Sequence, residues 1–266
     1  MTRMANMLHR LRCLLHLDRR RTKLYAQIFR QLVSGEGNPR RLWNRDERFN
    51  ELMSLVDGHT LNDKVRCYML YQYAQQVATL PGDVAEVGVY KGGTAKLLAQ
   101  SVASTDKTVH LFDTFAGMPS SDPAKDVFKE DDLTDTSLDG VQAFLQDCPN
   151  VRFHPGLFPL TASEVEQRTF CLVHIDVDIY QSVLDCCRFF YPRLHPGGAI
   201  VFDDYGFLTC PGGKMAVDEF FADKPEHPCY LPTGQCVVIR LDTWNGQPDK
   251  AGRATAHAVT RQMCSS

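Results

Sequence analysis

The stretch Asp83-Val84-Ala85-Glu86-Val87-Gly88-Val89-Tyr90-Lys91-Gly92-Gly93 reads as a buried strand that ends in a glycine-rich turn and runs into a helix at 94–101. Gly88, Gly92 and Gly93 have no Cβ to hold a ligand off the backbone, and they reach φ angles that other residues avoid. Twenty residues after Gly93, Asp113 closes a second apolar run, Val109-His110-Leu111-Phe112. A glycine loop followed at that distance by an acid is how a nucleoside is held, with its ribose hydroxyls on the carboxylate. The spacing is G-x-x-x-G-G, with Glu86 inside the strand, and differs from the G-x-G-x-x-G of nicotinamide enzymes. It points to S-adenosylmethionine, which has no pyrophosphate to seat. The expected cofactor contacts are Glu86, Gly88, Tyr90, Gly92, Gly93, Thr94, Asp113 and Thr114, with Asp176 reaching in from a neighbouring strand end.

Outward from this loop, strands and helices alternate. The pattern predicts strands at 83–88, 108–112, 150–154, 170–175, 198–202 and 236–241, and helices at 92–103, 137–147, 161–167, 181–194 and 213–222. The apolar runs at 170–175 and 199–202 suit strands covered by helices on both faces. The fold class is therefore α/β, a doubly wound, mostly parallel seven-stranded sheet of Rossmann-like form, with ligands beyond the carboxyl ends of the strands. Two short runs joined by Pro232-Thr233-Gly234 predict an edge hairpin. Ahead of the sheet, Leu61, Val65, Met69, Tyr73 and Val77 recur every four residues and predict an amphipathic helix. The polar segment 120–136 is a long loop of the kind that serves as a lid.

The 266 residues are 44% hydrophobic and 23% charged, as in a globular enzyme, and no apolar run is long enough for an integral membrane segment. The ten cysteines are scattered, without C-x-x-C or zinc-finger spacing, which implies a reducing, cytoplasmic setting and no disulfide framework. Residues 1–48 carry twelve Lys and Arg against four Asp and Glu, about +8, and the remainder is about −11. We divide the chain into a basic helical N-terminal arm or lid (1–60), a catalytic domain (61–242) and a polar tail (243–266). The arm is expected to pack on the body or across a homodimer; an anionic surface or a targeting role are the other readings of its arginines. Nucleic acid is not an expected partner, because the body is acidic and only Arg19-Arg20-Arg21 is densely basic.

Two further strand ends are acidic: His174-Ile175-Asp176-Val177-Asp178 and Asp203-Asp204-Tyr205. In a doubly wound sheet their carboxylates converge, and unpaired they repel and raise each other's pKa values. A hard divalent cation such as Mg²⁺ relieves this, with Asp176, Asp203 and Asp204 as its metal ligands and open positions for a diol. Methyl transfer from a sulfonium to a hydroxyl needs the proton removed, and Asp178 is the expected catalytic base, with His174 the weaker candidate. The plainer accounts are that Asp178 caps the following helix and that His174 is a satisfied core residue.

Several segments together resemble the TylF/MycF (macrocin O-methyltransferase) family: Pro81 through Gly93, Phe112-Asp113-Thr114-Phe115-Ala116-Gly117-Met118-Pro119, Gly156 through Thr161, Ile175 through Ser182, Pro196-Gly197-Gly198, Asp203-Asp204-Tyr205-Gly206, and Ala216 through Phe220. The resemblance covers residues 60–240. It implies a class I, S-adenosylmethionine- and Mg²⁺-dependent O-methyltransferase acting on a small-molecule hydroxyl acceptor, often a natural-product sugar. It implies the same metal ligands and the same base, and leaves substrate choice to the arm and to the insert at 207–213. The alternatives are a metal-independent methyltransferase, a glycosyltransferase using Asp176-Val177-Asp178 as its D-x-D, and a non-catalytic binding module on the same fold.

Overall fold

The computed structural model describes residues 39–242, together with residue 23. The expected tail and residues 1–38 of the expected arm, apart from residue 23, lie outside the described residues.

Seven strands form one sheet: β1 (Asp83–Val87), β2 (Val109–Asp113), β3 (Val151–Pro155), β4 (Phe170–Ile175), β5 (Leu194–Phe202), β6 (Cys229–Tyr230) and β7 (Cys236–Ile239), in the order β3-β2-β1-β4-β5-β7-β6. The first five are parallel; β7 pairs antiparallel with β5 and with β6, giving the expected hairpin. Among residues 39–242, six α-helices accompany them: α1 (Glu47–Leu55), α2 (Lys64–Gln76), α3 (Gly93–Ser101), α4 (Leu138–Phe144), α5 (Tyr180–Phe190) and α6 (Pro211–Phe221). One face of the sheet packs Ala85, Val87, Phe112 and Ile175 against Val183, Leu184, Ala216 and Val217 of α5 and α6. The other packs Val84, Leu111, Leu172 and Val201 against α2, α3 and α4. Covering on both faces explains why the central strands are apolar at every position but one or two.

Two expectations are corrected. Residues 161–167 hold only a short 3₁₀ turn, Ser163–Val165, because the segment buries only Ala162 and Val165 and cannot anchor a longer helix. In α2 the buried face is Cys67, Leu70, Tyr71 and Ala74, while Leu61 lies before the helix and is exposed. A strict four-residue repeat advances 40° past a full turn at each step, so it winds around a 3.6-residue helix rather than marking one face. The described part of the expected arm lies against the body. Phe49 and Leu52 of α1 pack on Cys67, Tyr71 and Leu97 of the body.

Candidate active site

Register places the site. Phe112, Val87, Ile175 and Phe202 lie in one row across four adjacent parallel strands. One residue beyond that row come Asp113, Gly88, Asp176 and Asp203, so the sequence motifs emerge side by side where the strand order reverses. Backbone bonds lock this rim: Gly88 N–H to Phe112 O (3.0 Å), Asp176 N–H to Val87 O (2.9 Å) and Asp203 N–H to Ile175 O (2.9 Å).

The glycines are needed for a different reason from the expected one. A Cβ on Gly88 would sit 1.8 Å from the Asp176 carbonyl oxygen, one on Gly92 2.9 Å from Val141, and one on Gly93 2.6 Å from the His59 carbonyl. Each admits neighbouring chain where a Cβ would clash. Gly88 and Gly92 also have positive φ, +89° and +86°. Asp113 clamps the loop by accepting from the N–H groups of Val89 (2.6 Å), Tyr90 (2.9 Å) and Phe115 (2.7 Å), and the Thr114 hydroxyl lies 3.5 Å away. Thr94 is buried in the first turn of α3. The lid-like loop is tied to both ends of the site. Asp135 accepts from the Tyr90 hydroxyl (2.7 Å) and from Lys91 (2.5 Å), and Asp126 accepts from Tyr180 N–H at the start of α5 (2.8 Å).

A cavity of about 290 Å³ opens on this rim. Its walls include Gly88, Tyr90, Thr94, Asp113 and Thr114 at one end and Asp176, Asp178, Asp204 and Cys210 at the other. Glu86, Gly92, Gly93, Asp203 and His174 do not line it. Glu86 and His174 are fully buried beneath, side by side in register. His174 Nδ1 meets Glu86 Oε1 at 2.8 Å, and its Nε2 meets Asp203 Oδ1 at 3.4 Å. Burial opposes charge on His174, yet the two carboxylates outweigh it and raise its pKa to about 10. With both ring nitrogens occupied and no access to the cavity, His174 is a buttress for Asp203. The expectation of a second base is corrected accordingly.

The acids divide into two trios. Single ligand atoms of His174, Asp176 and Asp203 lie within 4.8 Å of one another, as do those of Asp178, Asp204 and Cys210. Burial first, then mutual repulsion, pushes Asp176 and Asp204 above the usual carboxylate range, and burial does the same to Asp178. Asp203 goes the other way. Burial would raise it, but His174, Arg66 and Gln235 hold it low. Asp178 has φ +57°, a strained conformation for a non-glycine residue, and accepts from Cys210 Sγ at 3.1 Å. It does not cap α5; Asp126 does.

Sequence reasoning missed Arg66 and Asn62. Arg66 pairs with Asp203 Oδ2 and stands 3.7 Å from Asp204 Oδ1, and Asn62 donates to Asp176 Oδ2 at 3.1 Å. Asp63, the N-cap of α2, was the available signal, since a capped first turn fixes where Asn62 and Arg66 point.

The profile of the Macrocin-O-methyltransferase (TylF) family matches residues 37–228. The chain belongs to that family. Membership makes it an O-methyltransferase, and the glycosyltransferase and binding-module alternatives fall away. Among TylF relatives, it is 29% identical to the demethyldecarbamoylnovobiocin O-methyltransferase of Streptomyces niveus over 63% of this chain and 69% of that one. It is 32% identical to the mycinamicin III 3''-O-methyltransferase of Micromonospora griseorubida over 53% of this chain and 61% of that one. Among solved structures, the O-methyltransferase NovP superposes with a TM-score of 0.61 at 26% identity, covering 70% of this chain and 84% of NovP. The calicheamicin methyltransferase CalS11 shares the fold, with a TM-score of 0.59 at 18% identity over 85% of this chain and 95% of that one.

Proposed function

We propose that the protein moves a methyl group from S-adenosylmethionine to a hydroxyl of a sugar or other diol, with Mg²⁺ or a similar divalent cation at the acidic end of the cavity. The observation that carries this is the juxtaposition in one cavity of a glycine loop clamped by Asp113 and the half-buried carboxylates of Asp176, Asp178 and Asp204. The relatives' named substrates, a mycinamicin and a novobiocin precursor, support a natural-product acceptor.

The donor set fits a hard cation. Asp204 Oδ2 is buried without a hydrogen-bond partner, and burial first, then the neighbouring charge of Asp176, raises the Asp204 pKa. A divalent ion would relieve that repulsion. Asp176 and Asp204 would hold it, with Asp203 joining only if it gives up Arg66. When bound, the ion lowers the pKa of a coordinated hydroxyl.

The chain's own residues do the rest. The lone pair that Asp113 keeps beyond its three N–H donors, with Tyr90 and Thr114 beside it in the cavity wall, binds the nucleoside, and Asp126 and Asp135 hold the loop that excludes water. Asp178, whose burial raises its basicity, takes the acceptor proton as the oxygen attacks. The new C–O bond forms in line with the breaking C–S bond, whose electron pair stays on sulfur.

Calorimetric titration with S-adenosylhomocysteine, with Mg²⁺ and again with EDTA, tests the reading. Micromolar nucleoside binding in both conditions, with transfer to diols lost in EDTA, is the expected result. Transfer that persists in EDTA would remove the metal, and absence of nucleoside binding would remove the whole proposal. The free cysteines among the described residues support a reducing, cytoplasmic location.

A further inference from the structure

Arg66 is the cation the acidic cluster already possesses. Its guanidinium reaches Asp203 Oδ2 and lies 3.7 Å from Asp204 Oδ1, with only 11% of the side chain exposed. The same group bonds the Leu61 carbonyl through Nη2 at 3.1 Å and covers the Phe207 ring at 4.9 Å. Leu61, Arg66 and Phe207 all wall the cavity. Arg66 Nε, by contrast, is buried with no hydrogen-bond partner, so the side chain is not in a position that satisfies all its donors. Asp203 would keep two partners without it, His174 Nε2 and Gln235 Nε2, the latter at 2.9 Å from Oδ1. Its Oδ2 is reserved by Arg66 alone.

Two cations within a few ångströms in a low-dielectric site repel by several kcal/mol. A divalent ion on the Asp176–Asp204 side and Arg66 on the Asp203–Asp204 pair therefore compete for the same negative charge. We propose that Arg66 is a built-in counter-cation that holds the carboxylate cluster together and is displaced when a divalent metal enters, releasing residues 61–66 at the cavity wall. Arg66 is thus a positioning residue coupling metal loading to the shape of the acceptor side. This rests on the metal reading above and adds a claim that can fail separately.

The segment has the right connections for such coupling. Asn62 ties it to Asp176, and Gly93 N–H donates to the His59 carbonyl at 2.9 Å, so its far end stays fixed to the glycine loop. Release at Arg66 would loosen 61–66 without detaching the cofactor end.

The test is Mn²⁺ binding, followed by electron paramagnetic resonance, to the wild-type protein, Arg66→Met and Arg66→Lys. S-adenosylhomocysteine binding and a melting curve serve as folding controls. Arg66→Met should bind Mn²⁺ about tenfold more tightly or better, roughly 1.4 kcal/mol, and Arg66→Lys should remain near wild type. Hydrogen exchange over 61–66 should rise on adding Mn²⁺ to the wild type and be high already in Arg66→Met. If the wild type binds Mn²⁺ and Arg66→Met binds equally or more weakly, Arg66 merely braces Asp203 and the inference fails while the metal reading stands. If no variant binds Mn²⁺, both fall.

Discussion

The chemistry turns on single carboxylates whose surroundings set them apart. Asp178→Asn should keep S-adenosylhomocysteine and metal binding and lose turnover by about 10²–10⁴-fold, the usual share of a general base; single-turnover kinetics beside calorimetry would show it. Asp204→Asn should leave nucleoside binding intact and abolish the response to Mg²⁺, read as transfer with and without EDTA. Gly88→Ala should cost well over the ~1 kcal/mol of a typical substitution, because its methyl would meet the Asp176 carbonyl at 1.8 Å; thermal melting measures the loss. The acids of the site were legible because Asp113, Asp176, Asp203 and Asp204 end recognisable strands. Arg66 and Asn62 were not, because they belong to a helix start more than a hundred residues away, brought in only by the packing of α2 on the sheet. The left-handed turn at Asp178 was equally hidden, since nothing in Val177-Asp178-Ile179 announces a positive φ.

At the level of elements, α5 begins without a cap of its own and borrows one from the loop across the cavity. Asp126 accepts from Tyr180 N–H, and Gly212 leaves the space for it, since a Cβ there would stand 1.9 Å from Asp126 Oδ1. Asp126→Ala should remove about 1 kcal/mol, the worth of an N-cap, and should speed proteolytic cleavage within 120–136 as the loop loses one of its moorings. Most elements could be read from period and punctuation. The failures were local. The 161–167 segment had helix-compatible residues but too little apolar surface to hold them, and the face of α2 was misjudged because side-chain burial follows the 100° step rather than a count of four.

Across the whole molecule, the antiparallel end of the sheet is fastened by Glu226, which accepts from the Tyr191 hydroxyl (2.6 Å), Arg240 (2.9 Å) and Leu241 N–H (3.1 Å). Burial would raise this carboxyl, but those donors prevail and hold it below its ordinary value. A carboxyl depressed in the folded state stabilises above its unfolded pKa, about 4.3, and that contribution disappears as pH falls through the folded value. Melting temperature followed from pH 6 downward should therefore drop more steeply below about pH 4 in the wild type than in Glu226→Gln. Parallel curves would discharge Glu226 from that role.

The sheet finishes at one edge in β6, a strand of only two residues, and at the other in β3, which exposes Arg152 and stops at Pro155. Neither margin offers a long, flat row of free amides and carbonyls, and a charge and a proline further spoil the second as a template. The described sheet thus gives copies of this protein a poor template for pairing strand to strand at high concentration. Among the described residues, protection against edge pairing is written into where the sheet ends.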